Sequence, residues 1–163
     1  MITKIGIERF SLTSSKSFDE VLVGINDAIG HPDMAEFAKA TAGARTFAEL
    51  ETIVRKGLGR TGLMTFMELD QGAVLRKETG KGSPKILRFI VGNPLIMKEM
   101  AKHVPDAGSY APVTVLVDDR ADGVHLSYDR MASFLTSSKN SEALSVARNL
   151  GSKIEKLLRD SAA

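Results

Sequence analysis

The sequence predicts an α+β fold: a two-layer domain with an antiparallel sheet and its helices on one face. Three observations carry this. Apolar strand-like runs come in neighbouring pairs joined by short polar turns, which suits antiparallel pairing. Amphipathic helical segments sit before and after those pairs instead of alternating strictly with single strands. At 163 residues and 43% apolar, the chain is long enough to bury a core of its own without a metal or a disulfide. No internal repeat, low-complexity tract or linker divides it, so residues 1–163 are expected to form one domain.

Residues 5–12 read as the first strand. Ser17-Phe18-Asp19-Glu20 then spells a capping box, in which Ser17 and Glu20 each satisfy a free N–H at a helix start. Val21, Leu22, Ile25, Ala28 and Ile29 follow at helical spacing, with Gly30 as the expected stop. His31-Pro32-Asp33 restarts a short helix with Pro32 in its first turn and Met34, Phe37 and Ala38 on its apolar side. A second capping box, Thr46-Phe47-Ala48-Glu49, opens a helix carrying Leu50, Ile53, Val54 and Leu58. Residues 63–69 are apolar at nearly every position and read as a strand. Residues 73–77 are expected to continue as extended chain, and the polar loop 78–84 to turn a hairpin into a strand over 86–91. After Asn93-Pro94, the residues Ile96, Met97, Met100 and Val104 mark a helix that Pro105 ends. Residues 113–117 and 124–128 form a hairpin, and a last helix from about Ser141 lines up Val146, Leu150, Ile154 and Leu157.

Composition removes several function classes. The chain has no cysteine, so thiol catalysis, cysteine-held zinc, iron–sulfur clusters and disulfide switching are excluded. No stretch approaches the ~20 apolar residues that span a bilayer. The N-terminus lacks a long apolar h-region, so no secretory signal is expected and the location is taken as cytoplasmic. Lys and Arg number 22 against 20 Asp and Glu, a net charge of +2. That balance gives no reason to expect nucleic acid or a membrane as partner.

Two glycine motifs invite a nucleotide reading and fail on context. Gly57-Leu58-Gly59-Arg60-Thr61-Gly62 fits G-x-G-x-x-G, but the dinucleotide fingerprint needs a strand before it and a helix after it, and here the order is reversed. Gly80-Lys81-Gly82-Ser83 lacks the first glycine and the hydroxyl of a phosphate loop. His31, His103 and His125 have no metal-pair spacing. No cofactor is expected.

Two places remain. Glu68 and Asp70 lie two apart on an otherwise apolar strand, sharing a face with Met64 and Phe66 if the strand is regular. Either carboxylate is a candidate general base if buried; the alternative, which the pattern favours, is that Asp70 begins a turn with Gln71-Gly72 while Glu68 pairs across the sheet with a lysine or arginine. The run Val91-Gly92-Asn93-Pro94 is a strand-to-helix corner. It leaves helix-start N–H groups available to an anion or polar ligand, or it is a capped turn with Asn93 as N-cap and Pro94 at the first helical position.

Three segments together resemble the domain-of-unknown-function 302 family. These are Gly62-Leu63-Met64-Thr65-Phe66-Met67-Glu68-Leu69-Asp70, the Gly92-Asn93-Pro94 corner, and Ala111-Pro112-Val113 with the hairpin Gly123-Val124-His125-Leu126-Ser127-Tyr128-Asp129. The resemblance is clearest over residues 62–130. It implies a β-α-β4-α fold and a homodimer, with an extra helix here inserted before the second strand, and it implies no reaction. Where many members carry cysteine before Asn-Pro, this chain has Gly92. The resulting expectation is a homodimeric module binding a small, partly apolar ligand, with Glu68, Asp70, Gly92, Asn93, Pro94, Met97 and Tyr128 as candidate site residues. The alternatives are an enzyme using Glu68 or Asp70 as base, and a protein-interaction module without a pocket.

Overall fold

Alternation along the strands decides which side of the sheet becomes core. Val113, Val115 and Val117 are buried, as are Val124, Leu126 and Tyr128, while the residues between them stay half-exposed. In the computed structural model, which describes residues 1–163, these belong to a five-stranded sheet. Strands β1 (Arg9–Ser14), β2 (Met64–Asp70), β3 (Ile86–Gly92), β4 (Val113–Arg120) and β5 (Gly123–Asp129) run antiparallel in the order β1-β5-β4-β3-β2. Seven helices accompany them: α1 (Phe18–Asn26), α2 (Met34–Gly43), α3 (Phe47–Gly57), α4 (Gly72–Thr79), α5 (Pro94–Ala101), α6 (Met131–Leu135) and α7 (Ser141–Ala162). Helix α7 lies at the centre of the covered face, touching α1, α5, α6, β1 and β5. Its stripe of Leu150, Ile154, Leu157 and Leu158 joins Ile25, Phe89 and Leu126 in one core. The opposite sheet face is uncovered; Met67 and Leu69 are exposed on it, beside half-buried Ile90 and Leu116. No helix is long and apolar enough to cross a membrane.

The α+β antiparallel architecture is as the sequence predicts, and of the two expected capping boxes the first forms in full and the second only in part. Ser17 accepts from Glu20 N, and Glu20 accepts in return from Ser17 N. Thr46 accepts from Glu49 N, but the Glu49 carboxylate takes Arg45 N, one residue earlier than a reciprocal box requires. Several boundaries differ. The first strand runs from Arg9 to Ser14 and not over 5–12, because its partner β5 ends at Asp129, opposite Arg9. Pro32 lies outside the restarted helix, whose N-cap is Asp33, and α2 buries no residue. Residues 73–77 are helical, not extended: Asp70 Oδ1 accepts from Ala73 N and starts α4. The helix after Asn93 ends at Ala101, and Pro105 opens a short 3-10 turn to Ser109. Helix α6 has no counterpart in the sequence reading.

The glycine-rich run that mimics a nucleotide fingerprint has a packing role. Two backbone segments cross at Gly30 and Gly59, and both donate to Leu63 O, each at 2.9 Å. Gly30 O in turn accepts from Thr65 N at 2.9 Å. A Cβ on Gly30 would lie 1.8 Å from Gly57 O, and one on Gly59 would lie 2.3 Å from the Ile29 carbonyl carbon. Gly62 has φ +73°, in the left-handed region. The helix–turn–strand passage from α3 into β2 is fastened to the end of α1 by this crossing.

Candidate functional site

At the Gly92-Asn93-Pro94 corner the four leading helical positions can be accounted for one by one. Pro94 has no N–H. Leu95 N donates to Asn93 Oδ1 at 2.8 Å, and Ile96 N and Met97 N both donate to Asn93 O at 3.0 Å. Asn93 Nδ2 donates to Gly62 O at 2.9 Å, which ties the corner to the glycine run before β2. No donor of this first turn is left for an anion. The corner is a capped turn, the second of the two readings the sequence permits.

Beside it lies a cavity of about 100 Å³ with almost wholly apolar walls. Gly92, Asn93, Pro94 and Met97 line one side; Ala111, Pro112, Phe66 and Leu150 close the other. Each wall has a local cause. Phe66 is the extra residue of a β-bulge, since Thr65 pairs with Val91 while Met67 pairs with Ile90. Such a bulge re-aims a side chain. Pro112 leads into β4 directly beside Gly92, and a Cβ on Gly92 would stand 3.0 Å from Pro112 Cβ. Leu150 comes from the buried stripe of α7.

The other sequence candidates go elsewhere. Glu68 sits opposite Phe89, three residues along β3 from Gly92, or about 10 Å at the usual strand rise. Its carboxylate is half-exposed and 3.8 Å from His31 Nδ1. Asp70 binds Arg76 Nη2 at 2.6 Å and accepts from Ala73 N at 2.9 Å at the start of α4; the Arg76 hydrogen bond, chiefly, holds its carboxyl below the usual carboxylate range. The bulge also breaks the alternation that would have placed Met64, Phe66, Glu68 and Asp70 on one face. Glu68, Asp70 and Asn93 therefore do not converge on one cavity.

Tyr128 is buried on the helix side of β5, and its hydroxyl accepts from Met131 N at 2.7 Å. Burial pushes that phenol up to about 12. It lines a separate space of about 290 Å³ between β5 and α7. Of the seven candidates, four share the apolar cavity. The other four lining residues, Phe66, Ala111, Pro112 and Leu150, are not among the candidates. Ala111 and Pro112 sit in the Pro-led strand of the family resemblance, whereas a bulge and an inter-helix packing choice leave no local sequence signal for Phe66 and Leu150.

A family model described as "Domain of unknown function DUF302" matches residues 37–161. No curated protein matches the sequence. Among solved structures, the crystal structure of an uncharacterized conserved DUF302 protein from Bacillus stearothermophilus is similar, with a TM-score of 0.65 at 10% identity. The match covers 94% of this chain and 97% of that one. At that identity the likeness shows the fold.

Proposed function

This chain belongs to the DUF302 family, and from its own geometry we propose that it is a homodimeric module binding a small, partly apolar ligand at the Gly92-Asn93-Pro94 corner. The observation that carries the reading is the apolar cavity there. The space opens to solvent past exposed Pro112 and half-buried Met97, and covering its apolar lining would remove apolar surface from water. An engineered apolar cavity of about 150 Å³ stays dry and takes up benzene or xenon. At about 100 Å³, this one suits a xenon atom or the few-carbon end of a larger molecule. Asn93 spends one of its two amide N–H donors on Gly62 O, leaving the other for an acceptor on the ligand. Xenon applied to the 15N-labelled protein is expected to shift the Gly92 and Met97 amide resonances saturably. Shifts confined to other residues would overturn the binding site.

The dimer half of the proposal rests on the uncovered sheet face. Besides its apolar residues, that face carries Arg88, whose Nη2 donates to Thr114 Oγ1 at 3.1 Å while its buried Nε has no acceptor. A second copy seated there would take Met67, Leu69, Ile90 and Leu116 out of water, and removal of apolar surface is what drives most association. Sedimentation equilibrium is expected to give twice the 17.6 kDa chain mass. The monomer mass at micromolar concentration would remove the dimer from the proposal.

A further inference from the structure

The space under Tyr128 has features that packing does not call for. Its floor is the Tyr128 hydroxyl, which accepts the Met131 N–H while its own proton meets no acceptor in the protein. Its wall is α7 at Gly151, buried in the middle of a 22-residue helix. Glycine there costs about 1 kcal/mol against alanine. Sterics do not demand it, because a Cβ on Gly151 would meet the Tyr128 oxygen at 3.5 Å, an ordinary contact. What glycine provides is clear space in front of the phenol.

The charges on the rim are unequal in their partners. Arg130 Nε donates to Glu155 Oε1 at 2.8 Å and its Nη1 to Glu8 Oε2 at 3.3 Å. Arg159 stands 3.9 Å from the other Glu155 oxygen. Both carboxylates of the cavity are thus matched by arginine. Arg148, three residues before Gly151 and so on the same side of α7, lines the cavity as well. Its guanidinium has no carboxylate partner.

We propose that this cavity of about 290 Å³ is a second binding site, taking a small organic carboxylate on the Arg148 guanidinium and the Tyr128 O–H, with Gly151 keeping the approach open. A carboxylate offers two oxygens, one for the arginine fork and one for the phenol donor, and charge-assisted bonds of this kind are the strong ones. A dianionic phosphate fits less well, because Glu8 and Glu155 share the rim with a single unmatched cation. The site is distinct from the apolar cavity and does not depend on it.

The test is an NMR titration of the full 15N-labelled chain with sodium acetate, against sodium chloride at equal ionic strength, with inorganic phosphate as a second arm. Acetate is expected to shift the Met131 and Ser152 amides along a saturating curve that chloride does not produce. Arg148→Gln, on an exposed side chain, is expected to weaken that binding by about tenfold or more, as loss of a charged hydrogen bond does. Gly151→Ala is expected to raise the melting temperature by about 2–4 °C and to abolish the acetate response, separating the site from the fold. Acetate shifts that do not saturate, or Arg148→Gln and Gly151→Ala proteins that bind like the parent, would overturn the proposal. Saturation by phosphate alone would overturn the carboxylate assignment. A Gly151→Ala protein that melts lower removes the spacing argument, and Arg148→Gln then decides the site.

Discussion

Gly59→Ala and Gly30→Ala proteins are each expected to lose on the order of 4 kcal/mol of stability, at the upper end of single-substitution effects. The cause is contact with backbone, not with side chains that can rotate away. Alanine at 30 would set its Cβ 1.8 Å from Gly57 O and 2.8 Å from Gly59 N; alanine at 59 would set it 2.5 Å from Gly30 N. Separating the segments to admit a methyl group stretches the paired bonds from Gly30 N and Gly59 N to Leu63 O. The bond from Thr65 N to Gly30 O, which starts β2, goes with them. Urea unfolding monitored by circular dichroism measures the loss as a lower midpoint at unchanged slope. Gly43 is the control: nothing lies within 4 Å of a Cβ placed there, and a helical glycine changed to alanine is expected to be neutral or to gain up to about 1 kcal/mol. If Gly59→Ala behaved like Gly43→Ala, the crossing would not be the reason for the glycine run.

The same run shows what a sequence displays and what it hides. Its wrong order, helix before and strand after, is enough to reject a nucleotide role, because that test is local. The positive role is invisible, since it depends on Gly30, some thirty residues away, arriving at Gly59. Local signals read well elsewhere for the same reason. The capping box at Ser17 and the Asn93-Pro94 start of α5 are settled within four residues, and the apolar stripe of α7 repeats over its whole length. The misreadings fall where a distant partner decides. Ala73-Val74-Leu75 looks like a strand, but Gly72 abuts the chain at Pro84 and Ile86, where a Cβ would come within 2.6 Å of Pro84 O. Arg76 reaches both Asp70 and Pro84 O and folds the segment into α4. Ile5 and Ile7 alternate as a strand should, yet β5 has no residues left opposite them. The candidate site divides along the same line. Gly92, Asn93, Pro94 and Met97 are neighbours in sequence and share a cavity, while Glu68, Asp70 and Tyr128 were grouped with them by chemistry and lie apart.

Leu150→Ala is expected to lower stability by about 3 kcal/mol and to convert the corner cavity into one that takes benzene. Leu150 is 2% exposed and belongs both to the core stripe of α7 and to the cavity wall. Truncating it removes apolar contacts and joins the vacated volume to a space already about 100 Å³, so the neighbours have little to collapse onto. The cost of a buried leucine truncation rises with the void left behind, at about 24 cal/mol per Å³. The enlarged space should then exceed the size at which benzene binds an apolar cavity. A ligand bound only by the folded state stabilises by RT ln(1 + [L]/Kd), about 2.7 kcal/mol at a hundredfold excess over Kd. Benzene should therefore return most of the lost melting temperature to Leu150→Ala, while leaving the parent, whose cavity is smaller, nearly unchanged. Val146→Ala on the same helix, outside the cavity lining, should lose stability with no recovery. Equal recovery in both variants would mean that benzene acts on α7 packing in general, and the cavity would lose its standing as a binding site. Recovery in Leu150→Ala alone ties the capacity for an apolar ligand to the space behind Gly92.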